Sequence, residues 1–276
     1  MRKIVAYTAC VCLLLGALAT PGLAQEEKKD NTGTNPVNFT YDMRFITEMQ
    51  WLRDNGGSLI KNTFEFRAPL GRDLRNLTGD DQYNDLGQKF ALRFRAYWNT
   101  LSVPNPSQRS VSGIGDFDAR FLWLAHVNSS WGMAPGLEAF FNTASDDALG
   151  TGKTSLAPTI FFAFFNKLGK NSIFAPGYQF VFSVGGDPDR SDVLQSRIDL
   201  YFVWILAKGK NWLIVNPQII VDHENSGTDF MQTDFEFGYM IYPQAGLSGY
   251  VRPGFAVGKG RPFNWNFEFA FKVVWR

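Results

Sequence analysis

Two histidines, His126 and His223, are the side chains of this sequence best suited to act as general bases near neutral pH, and their neighbours decide whether they do. His223 stands in Asp222-His223-Glu224, an acid and histidine grouping of the kind that activates water for hydrolysis. Such chemistry needs a second acidic pair across a cleft, and Asp146-Asp147 is available for it. Neighbouring residues on a strand point to opposite faces, however, so Asp222 and His223 converge on one water only where the strand has ended. His126 lies in Ala125-His126-Val127-Asn128 with Ser129 and Ser130 next to it, the ingredients of a histidine-activated serine, but an interfacial or lumen-facing histidine is the better explanation of the segment. Neither constellation carries a catalytic assignment. The chain is read as non-enzymatic, with no catalytic residue, no metal site and no cofactor.

A larger set of reactive groups is charged rather than nucleophilic. Asp42, Arg44, Glu48, Glu65, Arg67, Arg93, Arg95, Asp118, Arg120, Glu138, Arg197, Asp199, Asp234, Glu236, Arg252, Glu268 and Lys272 all fall in stretches where charged and large apolar residues alternate. In the last fourteen residues Trp265, Phe267, Phe269, Phe271, Val273 and Trp275 alternate with Asn266, Glu268, Ala270, Lys272 and Val274. A period of two places the aromatics on one face of a strand and the charges on the other. The same separation recurs with Phe39, Tyr41, Met43 and Phe45 against Asp42 and Arg44, with Phe90, Leu92 and Phe94 against Arg93 and Arg95, and with Phe235, Phe237 and Tyr239 against Asp234 and Glu236. An Arg or Lys turned toward lipid at the bilayer midplane costs about 2–4 kcal/mol, so confining charge to one face is what a membrane-spanning sheet requires.

The elements that position these groups follow from counting. Strand-like stretches run near 38–52, 58–69, 89–102, 114–127, 131–143, 154–166, 172–184, 193–206, 211–222, 229–242, 246–257 and 263–275. They predict an all-β, antiparallel transmembrane β-barrel of about 12 strands, with 10 or 14 as alternatives. Phe161, Phe162, Phe164 and Phe165 leave the faces of the sixth stretch open, and Pro158 and Pro217 require an interrupted ladder. Tight connections at 128–130, 167–170, 207–210 and 243–245 define an inner end, and longer ones at 103–113, 144–153 and 185–192 an outer end. The stretch 70–88 is an inner connection too long for this rule. Trp131, Trp204, Trp212 and Trp275 fall beside inner turns and Trp51, Trp98 and Trp265 beside outer loops, which predicts two interfacial belts. Trp123 belongs to neither.

Composition and termini agree. Residues 1–24 have the layout of a secretory signal peptide: Arg2 and Lys3, then an apolar stretch of roughly 16 residues, shorter than the about 20 a spanning helix needs, then small residues before Gln25. Residues 25–36 read as a flexible periplasmic leader and 37–276 as the barrel. Cys10 and Cys12, the only cysteines, lie inside the signal segment, so the mature chain has no disulfide. Without Arg2 and Lys3 the 27 basic residues fall to 25 against 26 acidic ones, with no block of one sign, so nucleic acid is not an expected partner. The expected surroundings are outer-membrane lipid and lipopolysaccharide of a Gram-negative-type envelope.

The segment Gly113-Ile114-Gly115-Asp116-Phe117-Asp118-Ala119-Arg120, followed by Pro135-Gly136-Leu137-Glu138-Ala139-Phe140-Phe141, a Gly- and Asp-containing loop and Leu156-Ala157-Pro158, resembles the outer-membrane transporters grouped under the label "MetA pathway of phenol degradation". The resemblance implies a passive channel for small, aromatic or hydrophobic solutes of unspecified identity. It also implies handling by the barrel-assembly machinery through the C-terminal strand, although Trp275 is penultimate and Arg276 departs from the usual ending. A structural or partner-binding barrel with a closed lumen is the alternative function, and an outer-membrane hydrolase a third.

Overall fold

The computed structural model describes residues 37, 39–53, 56–70, 89–104, 109–225 and 228–275. The expected signal peptide at 1–24, the expected leader at 25–36 and all but Leu70 of the connection 70–88 lie outside the described residues. The strands are β1 (Tyr41–Leu52), β2 (Ser58–Pro69), β3 (Phe90–Val103), β4 (Arg109–Ile114), β5 (Phe117–Trp123), β6 (His126–Val127), β7 (Trp131–Phe141), β8 (Lys153–Phe165), β9 (Ser172–Gly186), β10 (Leu194–Leu206), β11 (Asn211–Asp222), β12 (Phe230–Tyr242), β13 (Leu247–Gly258) and β14 (Phe263–Trp275). Successive crossings pair antiparallel, with β4 and β5 both on β3 and β5 and β6 both on β7, and β1 closes the ring against β14 with Tyr41 opposite Trp275 and Trp51 opposite Trp265. Because β4, β5 and β6 are consecutive pieces of one crossing, the barrel has twelve spans.

The broken crossing is a refinement of the expected fourth strand. It begins at Arg109, five residues earlier than the alternation predicts, and is interrupted at Gly115-Asp116 and at Leu124-Ala125. The first part pairs only with β3, and the second lies between β3 and β7. Gly115 explains the first interruption: a Cβ there would lie 2.4 Å from the Asn99 amide nitrogen, so the chain bends where no side chain stands in the way.

Strand alternation sets the two faces. Outward, Phe45, Phe64, Phe94, Phe121, Phe237, Phe269 and Phe271 are exposed, an arrangement that water would penalise and hydrocarbon would not. Inward, the charges are buried or half-buried. The ambiguous phenylalanines divide, with Phe161 and Phe165 inward and Phe162 and Phe164 outward. Phe161 lies over Gly177, where a Cβ would approach its ring to 2.5 Å. Pro158 and Pro217 each sit where one adjoining ladder skips two pairs: β8–β9 between Leu156 and Thr159, and β10–β11 between Asp199 and Phe202. A missing N–H is tolerated there because no partner carbonyl awaits it.

Short turns gather at one end of the barrel. Gly246, with φ 67°, ends the turn after β12, and a side chain there would meet the Val274 carbonyl oxygen at 1.8 Å. Next to this end the inward face is apolar: Ala134, Ala163, Ile173, Ala175, Val203, Trp212, Ile214 and Met240 form a buried collar, packed on by Phe165, Tyr201 and Ile205. Val37, only 4% exposed, completes it from the segment that precedes β1.

Candidate functional site

Beside the collar, and beyond it toward the long-loop end, the inward face carries ion pairs. On β1 and β2 the Arg44 guanidinium donates to Asp42 at 2.7 Å and approaches Glu65 at 3.3 Å, while Arg67 donates to the same Glu65 at 2.8 Å. On β3, β5 and β7 a second group is built around two carboxylates. Asp118 accepts from Arg95 at 2.9 Å and from the Tyr97 hydroxyl at 2.6 Å. Glu138 takes Arg93, Arg95 at 3.1 Å, Arg120 at 2.9 Å and the Gln179 amide at 2.6 Å. Across the lumen, Glu236 accepts from Arg252 at 3.0 Å and from the Trp212 indole N–H at 2.5 Å. Glu268 pairs with Arg252 at 3.1 Å and accepts from the Tyr250 hydroxyl at 2.6 Å. Glu48 and Asp234 both receive the Asn266 amide, at 3.3 and 2.9 Å, and Asp199 receives Gln218 at 2.5 Å.

All seventeen charged residues singled out from the sequence therefore stand on the inward face. Asp42, Arg44, Glu65, Arg93, Asp118, Glu138, Asp234, Glu236, Glu268 and Lys272 are buried, and Glu48, Arg67, Arg95, Arg120, Arg197, Asp199 and Arg252 are half-buried. Pairing them in a water-poor interior offsets their desolvation and fixes strand register. Outside, Trp51, Trp98 and Trp265 are exposed toward the long-loop end and Trp275 toward the short-turn end, where Tyr41 stacks on it at 6.0 Å. Trp131 and Trp204 are half-buried at the short-turn end.

Trp212 is a correction. Placed in the interfacial belt on its position beside a turn, it points into the lumen at 2% exposure. Its cross-strand partner is Gly238, and a Cβ on Gly238 would fall 1.8 Å from the indole, so the ring lies over bare backbone. The Lys272 ammonium sits 4.7 Å from the ring centroid and Glu236 takes the N–H, so both polar needs of the indole are met inside.

Strand ends at the long-loop end are held by Asp116. Its carboxylate accepts from the Thr143 and Ala144 amides at 3.2 Å, from the Thr151 amide at 2.6 Å and from the Thr151 hydroxyl at 2.9 Å. The loop between β7 and β8 is thereby docked on the rim beside β3 and β4, with Leu149 buried and its carbonyl bound by Asn99 at 3.1 Å. Arg190, from the next loop, donates to Asp147 and Gly150 carbonyls at 3.0 Å. Gly113 leaves room for Ser145 and Leu149, so the Gly-Ile-Gly-Asp segment is a loop-docking device.

The histidines are not brought into a hydrolytic cleft. Asp222 accepts from the Glu224 and Asn225 amides and turns the chain after β11. His223 instead reaches Ser196 on the outer wall, Nε2 to Oγ at 2.9 Å, and the Tyr178 hydroxyl lies 3.0 Å from the same Oγ. Sequence reasoning missed Ser196 and Tyr178, because only cross-strand register brings three strands' residues together. His126 contacts Asn128 at 3.0 Å and stacks on Trp131 at 4.3 Å. Among the described residues no group of three or more His, Cys, Asp or Glu is arranged to hold a metal ion.

A closed, twelve-span antiparallel barrel with an apolar wall, a charged lumen and short turns at one end is the architecture of outer-membrane β-barrel proteins. No protein-family model and no curated protein matches the sequence. Solved structures match in fold. The COG4313 outer-membrane channel from Pseudomonas putida F1 superposes with a TM-score of 0.64 at 9% identity, over 91% of this chain and 100% of that one. The NanC porin gives 0.55 at 11% identity, over 86% of this chain and 99% of its own, and the KdgM porin 0.52 at 10%, over 85% and 99%. At such identities the likeness establishes the fold.

Proposed function

We propose that this chain resides in the outer membrane of a Gram-negative-type envelope and serves as a narrow passive conduit for small solutes. The observation that carries the proposal is the layer of buried ion pairs lining a closed ring whose outer wall is apolar. A ring of Arg and carboxylate side chains inside an apolar wall has the make-up of a polar constriction, which selects permeants by size and sign. The similar solved structures are themselves described as channels and porins, which supports the same reading.

In this reading the short-turn end faces the periplasm and residues 1–24 are removed on export. The leader 25–36 lies on the periplasmic side, the C-terminal strand is read by the barrel-assembly machinery, and the loops contact lipopolysaccharide. The permeants are small and partly hydrophobic or aromatic, after the transporters of the phenol-degradation type that the sequence resembles. Solutes enter between the long loops, pass the paired charges and leave along the apolar collar down their own gradient. Arg93→Ala combined with Arg95→Ala tests the constriction: single-channel conductance or ion selectivity is expected to change while the barrel still assembles, and unchanged currents count against it.

A further inference from the structure

Charge in the lumen is paired but not evenly spread. Arg67, Arg93 and Arg120 stand in direct cross-strand register on β2, β3 and β5, an arrangement of like charges that is unfavourable by itself. With Arg95 they share Glu65, Asp118 and Glu138, and Glu65 also serves Arg44. The wall formed by β12, β14 and β1 is acidic: Glu48 faces Glu268 in register, and Asp234 and Glu236 stand beside them, with Lys61, Arg252 and Lys272 as the neighbours of opposite sign.

Arg197 on β10 adds to the basic side. Among the described residues it makes no ion pair; it donates to Gln195 at 3.1 Å, and its guanidinium lies 5.7 Å from the Phe140 ring centroid. Arg120 lies 5.1 Å from the Phe161 centroid in the same way. Two guanidinium groups thus rest against two inward phenylalanines, and Phe161 is held flat by Gly177 beneath it. Further down β10, on the same inward face, Tyr201, Val203 and Ile205 lead into the apolar collar with Ile173, Ala175 and Ile214.

We infer that this part of the lumen is a binding site for small organic monoanions, compounds with one carboxylate on an apolar, preferably aromatic, body. The carboxylate pairs with Arg197 and the arginine row, the ring packs against Phe140 and Phe161, and the apolar collar takes the remainder of the body. A guanidinium without a carboxylate partner gains most from such a ligand, because it offers two parallel donors to one carboxylate. The inference deepens the conduit reading and rests on the lumen's being open to solutes.

The test is calorimetric titration of the refolded, heat-modifiable barrel in detergent with benzoate, benzyl alcohol and acetate. Benzoate is expected to bind at least about tenfold more tightly than benzyl alcohol, which lacks the charge, and than acetate, which lacks the ring, in keeping with the strength of charge-assisted pairs. Arg197→Gln is expected to remove most of that preference, bringing benzoate binding down toward that of benzyl alcohol. Equal binding of benzoate and its neutral analogue, or no benzoate binding by the folded wild-type barrel, overturns the inference and needs no variant to be read. Bilayer currents separate the two failures. A conducting barrel that ignores benzoate leaves the conduit and removes the anion site, whereas a silent barrel that binds benzoate does the reverse.

Discussion

Trp212 lies over Gly238, its cross-strand partner inside the barrel, and the pair turns an indole of interfacial type into part of the lumen's packing. The contact depends on the missing side chain, since a Cβ at 238 would overlap the ring. Gly238→Ala is therefore expected to push the indole off Glu236 and destabilise the barrel by about 1–3 kcal/mol, the usual cost of overpacking a filled interior. Urea unfolding of the refolded protein, followed by tryptophan emission, measures both the lost stability and a red shift of the displaced ring.

Glu138 is the most heavily shared anion of the lumen, holding Arg93, Arg95, Arg120 and Gln179 from three strands. Removing one member of a buried ion cluster leaves the others uncompensated, which typically costs about 3–5 kcal/mol. Glu138→Ala should lower the denaturant midpoint accordingly, and more than Glu48→Ala, whose carboxylate is half-buried and bound mainly by the Gln50 and Asn266 amides. Equal losses for the two variants would show that the sharing carries no special weight.

Asp116 ties three backbone amides and a hydroxyl of the β7–β8 loop to the barrel rim. Asp116→Ala should free that loop while leaving the strands paired. The expected outcome is faster proteolytic cleavage within residues 142–152, with heat-modifiable gel mobility retained and a larger or noisier single-channel current. Loss of the folded band instead would make Asp116 a determinant of assembly.

How much of this was legible beforehand follows from what alternation encodes. A charge facing hydrocarbon is costly in every strand, so the inward set from Asp42 to Lys272 and the twelve spans can be read from a period of two alone. Cross-strand facts are a different matter. The sequence holds no sign that Gly238 stands beside Trp212, so a turn-side tryptophan reads as an interfacial one. Ser196, Tyr178 and His223 meet only through the β9–β10–β11 register, and the histidine's neighbours in sequence, Asp222 and Glu224, pointed elsewhere. The break at Gly115-Asp116 was visible as a motif, but its purpose was not, because the residues that Asp116 holds come 27 to 35 positions later. Val37 was assigned to the barrel by range, yet nothing in its surroundings marked it as a member of the apolar collar.

Planar-bilayer recording of the refolded mature protein, after its gel mobility has been shown to shift on heating, tests the central claim most directly. The conduit reading predicts discrete, stable conductance steps smaller than those of a general porin, as expected for a lumen crowded by paired side chains. Folded protein that inserts and passes no current would contradict it and leave a closed barrel whose purpose lies on its surface.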